Sequence, residues 1–394
     1  MRILIVSQYY YPERFCINEV AEGLLSLGHE VEVITGQPNY GFDHKLKEYR
    51  GVKEETINGV KVHRVHLFAR RKNRLSVIFN YLSFYSSSLR FVKHFKKEFD
   101  IVLSFSLSPV ISIAAANKYA KIHNIPSVLF CMDLWPESTT VTGAVKKGSL
   151  IYKMLYNWSV KLYSDLDHII VSSPSFINYF KNKLHIDKPF TYINQPVLKA
   201  REKLPPVTYE TKYNFVYAGN IGKIQLIDEL VESMKYVKTK DVTLHLTGMG
   251  SESNKIIEKI NNEGLKDKVI YHGPLPLEKV ESYFINADAL IVSLKNEGTV
   301  GKTIPNKLVQ YLSNAKPIIG VIHGDGRDLL RDAKGALLAE EDPKDIAKQI
   351  DKICSYDEVK KAEMAKSNLD FFNANLKTER INYLINEVLT ELIK

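Results

Sequence analysis

Cysteine is scarce. Cys16, Cys131 and Cys354 are odd in number and far apart, which leaves neither a disulfide framework nor a cluster spaced to ligate a metal. No apolar run approaches the roughly 18 residues that a membrane-spanning helix needs. The first residues, MRILIVSQYY, pass at once into Pro and Glu instead of a long apolar stretch with a small-residue cleavage site, so they read as a buried strand and not as a leader. These absences point to a reducing cytoplasm. No repeat or low-complexity segment is visible, and 45% hydrophobic with 25% charged residues is the composition of an ordinary globular protein. At 394 residues, two domains are favoured over one.

Acidic residues are missing from one segment in particular. Residues 61–97 hold ten Lys and Arg and no Asp or Glu, inside a first half (1–200) with 26 basic against 16 acidic residues; the remainder has 28 against 29. The net charge of +9 therefore belongs to the N-terminal half. Arg70, Arg71, Lys72, Arg74, Arg90 and Lys93 stand there among aromatic residues. From Leu75 to Lys97 the spacing predicts a helix, with Ile78, Leu82, Tyr85, Leu89, Val92 and Phe95 recurring at three- and four-residue steps. A basic amphipathic helix with aromatics suits an anionic membrane surface. A solvated basic face above a core-packing stripe gives the same pattern, and both readings stay open. Nucleic acid is not expected as a partner, because no binding motif accompanies the charge.

What is present is alternation. RILIVSQ, a helix over 17–28, EVEVITG, KVHRVHL, the basic helix, DIVLSFS, a helix over 109–123, PSVLFCM, a helix over 152–163 and HIIVSS form an α/β pattern of parallel strands covered by helices. After the aperiodic, proline-paired stretch QPVLKAREKLPPVTYETKY, the alternation restarts with NFVYAGN, VTLHLTGMGS, KVIYHG, ALIVSL, KPIIGVI and GALLA. This predicts a Rossmann-like domain over 1–195, a linker over 196–212, a second Rossmann-like domain over 213–375, and a last helix over 376–394 returning to the first domain. The two domains are expected to face each other across a cleft. Ligands of such sheets sit beyond the carboxyl ends of the strands, here the loops that hold Arg14 and Phe15, Asn39 and Tyr40, and Asp133 to Thr142.

Three glycine loops follow strands of the second half: Gly219 to Lys223, Gly248 to Ser251, and Gly298 to Thr303. Each alone is compatible with a simple tight turn; three at one sheet edge favour phosphate. Gly301-Lys302-Thr303 matches the end of a P-loop, but the first glycine of that pattern would be residue 296, an Asn, and Pro305 interrupts the helix expected to start at the lysine. No G-x-G-x-x-G follows the first strand of either half, which argues against a dinucleotide oxidoreductase. Lys307 falls in the first turn of a helix over 306–314, where a cation opposes the helix dipole unless an anion is bound; a solvated lysine is the plain alternative. Asp133 and Glu137, just past a buried strand, offer acid, base or hydroxyl-binding capacity, while Asp133 also suits a turn cap. Asp165-Leu166-Asp167 precedes a strand, at the wrong edge for the cleft, and reads as turn chemistry.

The runs YYYPE, EVEVITGQPNY, DLWPES, YAGNIGK and IPNKLVQYLSNAKPII together resemble the family 4 glycosyltransferases of GT-B fold, closest to the bacterial surface-polysaccharide subgroup typified by N-acetyl-L-fucosamine transferases. The likeness covers nearly the whole chain. It implies a retaining, metal-independent and cofactor-free transfer from a nucleotide sugar, usually UDP-linked, to a polyprenyl-diphosphate-linked or glycan acceptor in capsule, O-antigen or related synthesis, by an enzyme peripheral on the inner face of the cell membrane. The resemblance places Gly219, Asn220 and Lys223 by the diphosphate, Gly248, Gly250 and Ser251 near the nucleotide, and Tyr271 to Pro274, with Gly273, beside the base. Lys302, Thr303, Asn306 and Lys307 would meet phosphate or sugar, and Asp133 and Glu137 would face the reacting sugar and acceptor. The chain departs from the family at two positions where glutamates are usual, which are Lys302 and Gln310 here. Gln310 retains a hydroxyl-binding amide, Lys302 cannot accept a hydrogen bond, and Glu297 is a substitute from farther along the loop. A nucleotide-sugar 2-epimerase and a non-catalytic nucleotide-sugar-binding protein are the alternatives of different class.

Overall fold

The protein, a computed structural model, is described for all residues except 41–45, 72, 142, 201, 300 and 302, and for the backbone alone at residue 74. Lys72, Lys302 and the side chain of Arg74 thus lie outside the described residues. The chain divides into two compact units, Met1–Leu198 with Thr378–Lys394, and Lys199–Lys377.

Unit 1 is built on eight strands: β1 (Arg2–Ser7), β2 (Glu30–Gly36), β3 (Glu54–Ile57), β4 (Val60–Val65), β5 (Ile101–Ser106), β6 (Ser127–Cys131), β7 (His168–Val171) and β8 (Phe190–Tyr192). Their order is β3-β4-β2-β1-β5-β6-β7-β8, parallel except for the β3–β4 hairpin at one edge. The central strands are buried along nearly their whole length, which is why they read as continuous apolar runs and not as alternating ones. Helices α1 (Cys16–Ser26), α2 (Arg74–His94), α3 (Ala114–His123), α4 (Glu137–Val141), α5 (Leu150–Ser164) and α6 (Ser175–Asn182) make the crossovers. One sheet face packs Ile3, Ile5, Val31, Val33, Ile101 and Leu103 against α1. The other carries α2, α3, α5 and α6 over Leu4, Val6, Val102, Leu129 and Ile169. The predicted helix over 109–123 begins as a 3-10 turn at Val110–Ile113 before α3. The short edge strands β3 and β8 carry too few residues to show a period.

Unit 2 has six parallel strands in the order β11-β10-β9-β12-β13-β14: β9 (Tyr213–Ala218), β10 (Val242–Thr247), β11 (Val269–Gly273), β12 (Ala289–Ser293), β13 (Ile318–Val321) and β14 (Ala336–Leu338). The strand order reverses between β9 and β12, the point at which doubly wound sheets bind their ligands. Helices α7 (Ile227–Ser233), α8 (Ser253–Asn262) and α12 (Pro343–Ser355) cover one face, around Tyr217, Leu244, Ile291 and Ile319. The remaining helices are α9 (Leu277–Ile285), α10 (Asn306–Ser313), α11 (Gly324–Ala333) and α13 (Glu358–Asn375). The last helix, α14 (Thr378–Glu391), belongs to unit 1, where Ile381, Ile385 and Leu389 enter the α1 face of the core. Asn382 donates to the Glu19 carbonyl at 3.0 Å and fills the space a side chain at Gly23 would need.

Candidate active site

In unit 2 the loops after β9, β10 and β11 are zipped together through their backbones. The N–H of Gly219 donates to Thr247 O at 3.0 Å, that of Ile221 to Met249 O at 3.1 Å, and that of Gly248 to Gly273 O at 2.8 Å. Glycine is required where these strands of loop meet: Gly248 has φ +130, and a Cβ there would lie 1.8 Å from Gly219 O. Tyr271 hydroxyl donates to Gly248 O at 2.8 Å, so it braces the loop. The β9 loop is also tied to the β12 loop by Lys295 N to Ile224 O at 2.8 Å. A rigid collar of backbone therefore surrounds the switch point.

Lys307 reaches into this collar from the first turn of α10. Its ammonium sits 3.9 Å from the centroid of the Tyr217 ring and donates to the Tyr217 hydroxyl, which in turn donates to Asn220 O at 2.7 Å. It occupies the space beside Gly219 where a side chain would begin. Tyr311, one turn on, accepts from Ala218 N at 2.8 Å and donates to Ala218 O at 3.1 Å, fixing α10 to the end of β9. Among the described residues no carboxylate pairs with Lys307, and burial brings its pKa down to about 7. An unpaired cation held at the positive end of a helix is a socket for an anion.

The other residues expected here divide. Lys223 is exposed near the collar, Asn220 holds Gln225 at 3.1 Å, and Gly250 N is capped by Ser253 Oγ at 2.9 Å, with Ser251 exposed beside it. Asn306 and Thr303 flank the start of α10, half-buried. Gln310 donates to Glu281 of α9 at 2.9 Å. A carboxylate of α9 thus lies against the Gln310 amide. Glu297 is exposed and paired with Lys295 at 3.3 Å. The sequence reading missed Tyr217 and Glu281. The run FVYAGN carried Tyr217 in plain view, but its partner lies 90 residues away.

In unit 1 the loops after β1, β2 and β6 collect a second set of groups. Tyr9, Phe15 and Tyr40 form a three-ring cluster with centroids 5.1–5.2 Å apart. Glu13, buried, accepts from Asn39 N at 2.7 Å and from Tyr40 N, and burial raises its carboxyl to about 7 despite these bonds. Asn39 takes part in a buried amide chain, accepting from Asn80 at 3.0 Å, while Asn80 accepts from Gln8 at 2.8 Å. Arg14 is half-buried next to Phe15. Asp133 follows β6 and caps Leu134 N at 2.9 Å; burial outweighs that bond and its Ser138 contact and lifts its pKa to about 7. Asp133 thus serves as the cap and also keeps its proton to a higher pH than an ordinary carboxyl does.

Two expectations are corrected. Glu137 does not reach open space: it is 4% exposed, accepts from Tyr152 at 2.6 Å and forms an ion pair with Lys183. Burial alone would raise its pKa, but Lys183 and Tyr152 hold it below the usual carboxylate range. It is a brace between α4, α5 and α6. Arg70 is not a membrane-facing charge. Its guanidinium lies 5.3 Å from the Tyr40 ring and 5.9 Å from that of Tyr81, and it hydrogen-bonds Tyr9, so the aromatic cluster turns it inward. Arg71, Arg90 and Lys93 are exposed. Asp165 pairs with Lys121 at 2.6 Å and Asp167 caps Ser127 N at 2.8 Å, both as turn chemistry at the opposite edge.

Comparison with known proteins follows this division. The family model described as Glycosyltransferase Family 4 matches residues 15–197, and that described as Glycosyl transferases group 1 matches residues 199–369. The probable glycosyltransferase WbjE of Pseudomonas aeruginosa is 25% identical over 246 residues, a stretch spanning 58% of this chain and 60% of that relative's length. Among solved structures, sucrose-phosphate synthase from Thermosynechococcus elongatus superimposes with a TM-score of 0.76 at 15% identity, covering 99% of this chain and 98% of the other. Anabaena HepE in complex with UDP and glucose gives 0.71 at 13% identity with full coverage of both chains. WaaG, a glycosyltransferase involved in lipopolysaccharide biosynthesis, gives 0.69 at 11% identity, covering 99% of this chain and all of the other. At these identities the structural likeness speaks for the GT-B fold.

Proposed function

The chain belongs to the glycosyltransferases, with a family 4 domain followed by a group 1 domain, and from that premise we propose that it is a retaining enzyme moving a sugar from a UDP-sugar to a lipid-linked or glycan acceptor of surface-polysaccharide synthesis. The observation that carries this is the Lys307 ammonium inside the glycine collar of unit 2, with no carboxylate partner among the described residues. A UDP diphosphate supplies the charge this socket lacks, with the exposed Lys223 as a further donor. Two names among the comparisons support the donor and the setting: HepE is bound to UDP and glucose, and WaaG is described as acting in lipopolysaccharide biosynthesis.

In the proposed reaction the bond between the anomeric carbon and the UDP oxygen breaks while the acceptor oxygen bonds to the same face of that carbon. The acceptor proton passes to the departing phosphate oxygen. Lys307 stabilises the charge that develops on UDP, an electrostatic contribution made without reorganisation because Tyr217 and Tyr311 already fix the site. Glu281, tied to Gln310, is the proposed hydroxyl acceptor on the donor side. The rings of Tyr9, Phe15 and Tyr40, with Asp133 beyond β6, form the proposed acceptor edge of unit 1. The proposed place of action is a membrane surface; among the described residues no helix is long and apolar enough to span one.

UDP release over a panel of UDP-sugars with a glycan acceptor tests this directly. Lys307→Ala is expected to lower turnover on the order of 100-fold, the scale of one lost charge-stabilising donor. Normal turnover in that variant would sink the diphosphate assignment. Isomerised sugar nucleotide without acceptor would turn the reading to an epimerase.

A further inference from the structure

A polar chain inside unit 2 takes no part in the reaction above. His245 of β10 is buried on the sheet face opposite its neighbours Leu244 and Leu246. Its Nδ1 lies 3.0 Å from His272 Nε2 of β11, and its Nε2 lies 3.0 Å from Asn214 Oδ1 of β9. His272 Nδ1 lies 3.3 Å from the Tyr283 hydroxyl of α9. Asn214 Nδ2 donates to the Thr211 carbonyl at 2.7 Å, which turns the amide oxygen toward His245. That oxygen only accepts, so the network assigns the proton of His245 to Nε2 and leaves Nδ1 bare to accept from His272 Nε2–H; the bare His272 Nδ1 then accepts from Tyr283. The chain is complete only while both imidazoles are neutral. A proton on His245 Nδ1 would set two N–H groups against each other across 3.0 Å.

His272 is also the extra residue of a β-bulge. Along the β10–β11 ladder Leu246 pairs with Tyr271 and Thr247 with Gly273, so His272 has no residue opposite it. Bulges re-aim side chains and are over-represented beside active sites. The two chain neighbours of His272 are the braces of the collar. Tyr271 donates to Gly248 O at 2.8 Å, while Gly273 O accepts from Gly248 N at 2.8 Å and from Thr247 Oγ1 at 3.0 Å. A shift of the bulge therefore moves both braces of the Gly248 loop at once.

The surroundings offer a proton on this pair no counter-charge. Residues 207–211, tied to α9 by Val207 N to Ser282 O at 3.0 Å, lay the Tyr209 ring 4.6 Å from that of His245, with Glu210 exposed beside it. From α9 come Tyr283 and, 5.8 Å from its ring, the Lys279 ammonium, a like charge; Glu281 is engaged by Gln310. Asp288, near Tyr209, already accepts from Asn214 N at 2.7 Å and from Lys361 at 2.5 Å. Among the described residues no carboxylate bonds either imidazole. We propose that His245 and His272 are positioning residues for the nucleotide: as a neutral pair they hold the β11 bulge so that Tyr271 and Gly273 fix the Gly248 loop, and a proton on the pair loosens that loop and weakens binding of a nucleoside diphosphate. The inference rests on the donor-site reading of the collar and adds a pH dependence to it. Burial lowers the pKa of both residues, that of His245 to about 4, with His272 as its second cause. Between about 6.5, the value in an unfolded chain, and these lowered values the unfolded state binds more protons. The stabilisation from the pair is thus whole above the first value and lost as pH falls below it.

Calorimetric titration of the full chain with UDP at about pH 7 and about pH 5 tests it in wild type, His272→Gln and His272→Leu. Glutamine keeps an N–H for His245 and an oxygen for Tyr283 but takes up no proton, whereas leucine supplies neither group. At about pH 7 the glutamine variant is expected to hold UDP within about threefold of wild type, and the leucine variant to bind on the order of tenfold more weakly. From about pH 7 to about pH 5 wild type is expected to lose at least about threefold more affinity than the glutamine variant, the titration of UDP itself being common to both. Equal pH profiles for wild type and His272→Gln, or wild-type affinity in His272→Leu, overturn the positioning role; the first comparison decides alone if the leucine variant does not fold. Absence of UDP binding by wild type at both pH values removes the donor-site reading itself, whereas binding with equal profiles removes only the role of the pair.

Discussion

Lys307 shows how a buried amine burdens the folded protein. Burial lowers its pKa to about 7, whereas in the unfolded chain the amine keeps its proton to about 10.4. Between those values the unfolded state binds more protons, so stability rises with pH from about 7 toward 10, and at lower pH the full cost of enclosing the ammonium is present. Lys307→Met is therefore expected to raise Tm relative to wild type, most at or below pH 7 and progressively less toward pH 10. A thermal-shift series over pH checks this, and a constant difference across the range would contradict it. UDP binding runs the other way: its affinity for wild type is expected to fall as pH rises above 7, and the variant is expected to lose that slope. The placement of Lys307 in a first helical turn, where a cation is electrostatically anomalous, was legible in the sequence. Its Tyr217 support was not, since nothing local marks a ring 90 positions upstream. Glu137 was misread for the same reason: only the fold reveals that Lys183 and Tyr152 close over it.

At the scale of an element, α2 inverts the usual rule. Its buried side includes Asn80, Ser83 and Ser88, satisfied by Gln8, Asn39 and the backbone, while Leu75, Ile78, Phe79 and Leu82 are 43–68% exposed. The stripe expected from the sequence splits: Tyr85, Leu89, Val92 and Phe95 pack inward, Ile78 and Leu82 do not. Periodicity located the helix to within a few residues but could not say which side the core would take, because a hydrogen-bonded polar patch can be buried as completely as an apolar one. The outward face, followed in sequence by basic residues such as Arg90 and Lys93, is suited to insert shallowly into an anionic bilayer. Ile78→Ser/Phe79→Ser is expected to reduce sedimentation with phosphatidylglycerol vesicles on the order of tenfold per residue while leaving Tm nearly unchanged, as for other exposed positions. Undiminished sedimentation would remove this face from the membrane contact.

At the scale of the molecule, the α/β class and the paired sheets were readable from alternating strands and helices, and the GT-B resemblance from five short runs. What the runs could not carry were the edge strands and the packing partners of the last helix. Ile385 of α14 is fully buried in the α1 face of unit 1, so Ile385→Ala is expected to cost about 2–5 kcal/mol. Both tryptophans, Trp135 and Trp158, lie in unit 1, which makes their fluorescence in a urea titration a report on that unit alone. The expected outcome is a lower tryptophan midpoint with UDP affinity unchanged; an unaltered midpoint would deny α14 its stabilising role.

Because unit 1 is completed by residues 378–394, unit 2 is in effect an insertion within it. During synthesis the face of α1 that α14 covers stays without that cover while the 179 residues from Lys199 to Lys377 are made. The interval ends only when Ile381, Ile385 and Leu389 emerge. The same topology governs how the two units can be recombined. A unit 2 taken from a relative must be spliced at two points, after Leu198 and before Thr378, and a graft made at a single crossover would give unit 1 a foreign final helix.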